Sequence, residues 1–191
     1  MRKSLAIAIG LVGATTRAIS SCGDFPTLPF GSPETAIAAE YQNANYGYVV
    51  RVPKGLIGYR ASPSTPDHGL GIVIRSEPRA YLYVDGSYNA AEQPNLQSLG
   101  ARHAKWLKSA GHVLSVQQSM MRLGSLRALR RVSRYTCSER GGVFVQDEVI
   151  ALSADREIVY TVALLTTDRH YVADRRRLEQ LIRSWHSSPI E

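Results

Sequence analysis

The chain is short of the features that usually announce a function. Only two of its 191 residues are cysteine, Cys22 and Cys137, which excludes a disulfide-dense scaffold and a cysteine-built zinc finger. Its five histidines (His68, His103, His112, His170, His186) supply no HExxH and no pair at metal-ligand spacing on one element, so no metal centre is expected. There is no GxSxG nucleophile elbow and no GxxxxGK[ST] loop, and Gly69-Leu70-Gly71 falls short of GxGxxG. Hydrolases built on that elbow, P-loop enzymes and dinucleotide-binding folds lose their support, and no cofactor is expected. No apolar run approaches the roughly 20 residues a membrane-spanning helix needs. Internal repeats and low-complexity segments are also missing.

The chain itself is moderately apolar, 44% hydrophobic and 20% charged, and of a length suited to one domain with a sizeable core. Net charge is +7, but Arg2, Lys3 and Arg17 lie in the first twenty-one residues. Without them 20 basic residues face 16 acidic, a balance of +4. That is too mild to indicate nucleic-acid binding by charge.

The N-terminus reads as an export signal, residues 1–21. Met1-Arg2-Lys3 is a positive start, and residues 5–14 (LAIAIGLVGA) form an apolar stretch of h-region length. Two processing routes fit residues 18–22. Ile19-Ser20-Ser21-Cys22 resembles a lipobox, which would acylate Cys22, tether the chain to a membrane and leave Cys137 free. Ordinary cleavage near Ala18 or Ser20 would instead leave an exported protein whose Cys22 and Cys137 pair as a disulfide. Either route places the protein in the periplasm or the envelope. Residues 22–40, with Pro26, Pro29 and Pro33, read as a tether. Residues 41–187 read as a single α+β domain.

Strands are expected at 46–52, 56–59, 69–74 and 80–84, with 56–59 pairing back on 46–52 and Asp85-Gly86-Ser87 forming a turn. A helix is expected at 94–109, with Leu96, Leu99, His103, Trp106 and Leu107 on one face. Residues 113–121 and 126–137 fit a long hairpin turning at Gly124-Ser125. The competing reading makes 126–137 a helix, since Arg127, Arg130, Arg131 and Arg134 fall at i, i+3, i+4 and i+7. Residues 143–152 and 157–166 (EIVYTVALLT) form the next hairpin, eight of the latter ten being β-branched, aromatic or Leu. A final helix spans 171–187, with Tyr171, Leu178, Leu181, Ile182 and Trp185 facing the core and Asp174, Arg175, Arg176, Glu179 and Arg183 on the other face. Consecutive strands joined by short turns predict a mostly antiparallel sheet flanked by helices.

The YGYVVRVP opening at residues 46–53, a mid-chain helix carrying Trp106, and EIVYTVALLTT with a loop and a helix ending LIRSW after it resemble the PsbP-like fold. This α/β/α sandwich is shared by the extrinsic photosystem II protein PsbP, a Ran-binding nuclear import factor and bacterial DcrB-type lipoproteins. The resemblance covers residues 46–185. It implies a sheet covered by helices; it carries no site residues, because members do unrelated things and mostly bind partners.

Three sets of residues are candidates. Asp67, His68 and Gly69 form a loop just before a strand, where sites collect. The four arginines Arg127, Arg130, Arg131 and Arg134 would make a basic patch if helical and would split between two faces if in a strand. Asp147 and Glu148 interrupt an apolar strand; being adjacent, they point to opposite faces and cannot act on each other, and one is expected to face solvent or pair with an arginine on the neighbouring strand. Together these features suggest a non-enzymatic exported envelope protein that binds a protein or an envelope component. The alternatives are a small periplasmic enzyme using the Asp67-His68 loop and a periplasmic inhibitor or immunity-type protein.

Overall fold

The computed structural model describes residues 36–60, 69–75, 80–93, 95–136 and 141–189. Its elements are, in order, β1 (Ala36–Ile37), β2 (Glu40–Asn43), β3 (Tyr48–Arg51), β4 (Gly58–Arg60), β5 (Gly69–Arg75), β6 (Ala80–Tyr88), α1 (Leu96–Ala110), β7 (His112–Leu123), β8 (Leu126–Thr136), β9 (Val143–Leu152), β10 (Ile158–Thr167), α2 (Tyr171–Ser184) and β11 (His186–Ser187). Among the described residues eight strands form one antiparallel sheet in the order β1-β4-β5-β6-β10-β9-β8-β7, and three form a smaller sheet, β11-β3-β2. The α+β class and the antiparallel sheet are as the sequence indicates.

The most strand-like stretch lies in the middle of the large sheet. β10 pairs with β6 on one side and β9 on the other, and all but its last residue are buried. A strand covered on both faces carries no polar alternation, which is why this stretch reads as continuous apolar sequence. In β8 the alternation is visible. Leu129, Arg131, Ser133 and Tyr135 are buried on one face, and the strand reading holds over residues 126–136.

α1 covers one face. Asn95 caps it, accepting from the Ser98 backbone at 2.9 Å, while Ser98 closes the reciprocal contact of a capping box. Leu96 and Leu99 pack on Leu129, Ile150 and Val159; Leu107 packs with Tyr81, Tyr135 and Leu165. α2 and the small sheet cover the opposite face. Tyr171, Leu178, Leu181 and Ile182 enter the main core there. Full burial of each such side chain is worth about 1.5–3 kcal/mol.

Three expectations are corrected. β4 pairs with β5 and β1, not with β3. Pro53 and the left-handed Gly55 (φ 81°) turn the chain away from the small sheet and into the large one. Asp85-Gly86-Ser87 is strand, not turn, because β10 pairs along β6 as far as Tyr88. Gly86 lies under two tyrosines of the other layer: a Cβ there would stand 2.7 Å from Tyr46 Cβ and 3.0 Å from a Tyr48 ring carbon. α2 stops at Ser184, and the chain straightens into β11, which pairs with β3. Trp185 is buried at that junction, stacked on Tyr48 (6.4 Å, 15°) and edge-on to Tyr160 (5.1 Å).

Asp174 is a fourth correction. It is buried rather than solvent-facing, and accepts from Arg75 at 2.8 and 2.5 Å and from Thr166 Oγ1 at 2.6 Å. Burial pushes its carboxyl up, but the Arg75 and Thr166 bonds outweigh this and hold it below the usual range. A depressed native pKa stabilises the fold above the unfolded value, and that contribution disappears as pH falls through the native one. The urea midpoint should therefore drop as pH falls below about 4. Asp174→Asn should lower the midpoint at neutral pH and flatten the acid drop; an unchanged acid limb would show that Asp174 does not couple α2 to β5.

Candidate functional site

The α1 face of the sheet carries rows of residues set by register. Arg131 on β8 faces Glu148 on β9, Glu148 faces Ala163 on β10, and Ala163 faces Tyr83 on β6. The next row runs Leu129, Ile150, Thr161, Asp85, and the one after it ends Leu152, Val159, Ser87. Each row shares one face because cross-strand partners point the same way. α1 lies over these rows and leaves a cleft of about 320 Å³, whose wall includes Asp85, Ser87, Tyr88, Arg102, His103 and Thr161.

Behind the cleft wall sits a buried ionic network. Glu148 has no solvent exposure, and neither has the Arg131 side chain. His103 Nδ1 lies 2.9 Å from Glu148 Oε2, which also accepts from Gln146 Nε2 at 2.9 Å. Arg131 Nε stands 3.1 Å from Glu148 Oε1 but directs its hydrogen to Ser133 Oγ, also at 3.1 Å, so the Arg131–Glu148 contact is ionic rather than a well-aligned hydrogen bond. Arg131 Nη1 donates to the Gly100 carbonyl of α1 at 2.8 Å. A Cβ on Gly100 would stand 2.7 Å from Leu129 Cδ2, so glycine brings the helix backbone close enough for that bond. Arg131 Nη2 and Gln146 Oε1 have no hydrogen-bond partner among the described residues. Burial, with the charges of Glu148 and Asp85, keeps the Tyr83 phenol neutral well above its ordinary range.

His103 joins this network to the cleft, its side chain 27% exposed. With Nδ1 engaged by a carboxylate, Nε2 remains as the ring atom for a solute. The arrangement offers a fixed imidazole, a nearby guanidinium (Arg102) and a carboxylate (Asp85) around a small opening. Among the described residues no group of three or more His, Cys, Asp and Glu side chains is placed to hold a metal ion.

Of the sequence candidates, Arg131 and Glu148 enter this network and the others do not. Asp67, His68, Cys22 and Cys137 lie outside the described residues. Gly69 opens β5, where a Cβ would collide with the backbone carbonyl of Val84. The four arginines do not form one surface. Arg127 is exposed beside the hairpin turn. Arg131 is buried under α1. Arg130 holds Asp147 at 2.8 and 2.6 Å and reaches Glu179 of α2 at 2.7 Å. Arg134 meets Asp168 at 2.9 Å and lies over the Tyr171 ring. Asp147 and Glu148 do point to opposite faces, but both are buried and both face arginines, and neither reaches solvent. The cleft residues on β6 are hidden in the sequence because Asp85-Gly86-Ser87 has turn composition. The alternation Tyr83, Asp85, Ser87 is the signal that could have found them.

No protein-family model matches the chain, and no curated protein matches it. Among solved structures, cyanobacterial PsbP (CyanoP) of Synechocystis sp. PCC 6803 superposes with a TM-score of 0.56 at 17% identity, over 83% of this chain and 99% of that one. A protein of Bacteroides thetaiotaomicron superposes at 0.52 and 6% identity, over 78% of this chain and 48% of that one. LpqN, involved in cell envelope biogenesis of Mycobacterium tuberculosis, reaches 0.44 at 16% identity, over 83% and 87%, a likeness too loose to bear an argument. The fold is PsbP-like.

Proposed function

We propose that this chain is an exported, non-enzymatic protein of the bacterial envelope, and that it binds a partner protein through the cleft beneath α1. The observation that carries this reading is the buried Arg131–Glu148–His103 network. A buried ion pair is a poor device for stability, since desolvation cancels most of its attraction. Here it fixes an imidazole at the wall of an open cleft, and fixed polar groups at an opening serve recognition. The volume, about 320 Å³, is at the low end of ligand sites, which run from roughly 300 to 1,000 Å³. It has room for a partner's side chain or two. Export rests on the positive n-region and the apolar stretch at residues 5–14.

A photo-crosslinking amino acid placed at Ala91, exposed on the cleft wall, tests this in cells expressing the full chain. Val172, 73% exposed on α2, is the control on the other face. The expected result is a processed chain in the envelope fraction that gives one discrete protein adduct from Ala91 and none from Val172. Unprocessed chain in the cytoplasm would refute export. Identical adducts from both positions, or none from Ala91, would refute the cleft.

A further inference from the structure

We propose that two copies of this chain associate through β7, edge to edge and antiparallel, joining their large sheets into one. β7 is a terminal strand of the sheet, twelve residues long, and every residue from Leu114 to Met120 is exposed. Among the described residues only β8 pairs with it. Such an edge presents a row of open backbone donors and acceptors, and proteins that stay apart blunt it with charge, proline or a short strand. Here residues 113–121 (VLSVQQSMM) contain no charge, no proline and no glycine, in a chain that is 20% charged. Among the described residues, three of the six large exposed hydrophobic side chains, Leu114, Val116 and Met120, lie on this one strand. At the other end of the sheet β1 has two residues.

The strand is self-complementary. A bulge between Val113 and Ser115 bounds the regular ladder, which runs on from Ser115. Val116, Gln118 and Met120 face the α1 side, opposite Ser133, Arg131 and Leu129. A two-fold axis through Gln118 sets Val116 against Met120 of the second copy and the two Gln118 amides against each other. No charge opposes a like charge within Ser115 to Met121, although each copy is net positive. An edge that pairs with itself also closes the assembly at two.

The chain's own N-terminal segment is the weaker occupant. It enters the sheet at β1, seven strand spacings from β7, or about 34 Å. The fourteen residues from Cys22 to residue 35 span at most about 50 Å. That leaves about 16 Å for a strand of about 40 Å.

Sedimentation velocity on the full mature chain over a concentration series tests this, with Gln118→Glu, Gln118→Cys and Gln117→Cys alongside. The wild type should dimerise. Gln118→Glu should weaken the dimer by at least about tenfold at neutral pH, since it sets two charges face to face, and should regain it as pH falls through the carboxylate range. Gln118→Cys should oxidise to a covalent dimer and Gln117→Cys, with the same native cysteines, should not. A wild type that stays monomeric overturns the proposal, whether its β7 amides exchange freely or are protected by its own N-terminus or by another protein's strand. So does a dimer indifferent to Gln118→Glu.

Discussion

Arg131→Met should cost about 3–5 kcal/mol, the usual result of removing one partner from a buried ion pair. Folded domains hold only about 5–15 kcal/mol in total, so the variant should lie at or near its unfolding threshold. The loss comes from the groups left behind. Both side chains are fully buried, so the Glu148 carboxylate would keep His103 and Gln146 but lose its arginine, and the Gly100 carbonyl would lose the donor at 2.8 Å. Arg131→Met with Glu148→Leu should recover most of the loss, because an apolar pair of similar volume is often as stable as the ions it replaces. Urea titrations of both singles and the double close the cycle. The rescued double should fold and still lose the Ala91 adduct, because His103 no longer has the carboxylate that orients it. A single variant within about 1 kcal/mol of wild type would mean that Glu148 is not a buried charge. A double that folds and keeps the adduct would separate the network from binding.

Gly69→Ala should cost about 3 kcal/mol, at the upper end of the usual range for overpacking a close contact. A Cβ there meets the carbonyl of Val84 and stands 2.9 Å from its carbon, all backbone of the neighbouring strand. Relief would require β5 to move away from β6 along the ladder that pairs Gly69 with Asp85 and Leu70 with Val84. Gly141→Ala is the control, since nothing lies within 4 Å of a Cβ there. Thermal unfolding of the two variants makes the comparison. Equal melting temperatures would show that β5 and β6 do not approach so closely. In the sequence Gly69 groups with Asp67 and His68 as a candidate functional loop; its position assigns it a packing task that binding assays on the folded variant should not detect.

Much of the architecture is written in short-range pattern. The β10 stretch, the alternation Leu129, Arg131, Ser133, Tyr135 and the apolar stripe of α2 each reflect a period that one element imposes on its own residues. The opposed directions of Asp147 and Glu148 follow from the pleat alone. Partner identity does not. The α1-face pairing of Arg131 with Glu148, and the α2-face pairing of Arg130 with Asp147, depend on the register of β8 against β9, and a shift of one residue would exchange them. Asp174 looks solvent-facing in the sequence because nothing local announces Arg75, ninety-nine residues away.

The amino-acid sequence by itself determined the class of fold and the places of both helices and the central strands, because helix period, strand period and apolar runs are properties of neighbouring residues. Only the tertiary structure decided the strand partners beyond the two hairpins, the carboxylates that the arginines meet, and the site. Gly86 is a strand residue because β10 pairs along β6, and its lack of a Cβ lets Tyr46 and Tyr48 lie close over it. Asp85 and Ser87 line a cleft because that strand continues, and α1, brought there by long-range packing, closes over them.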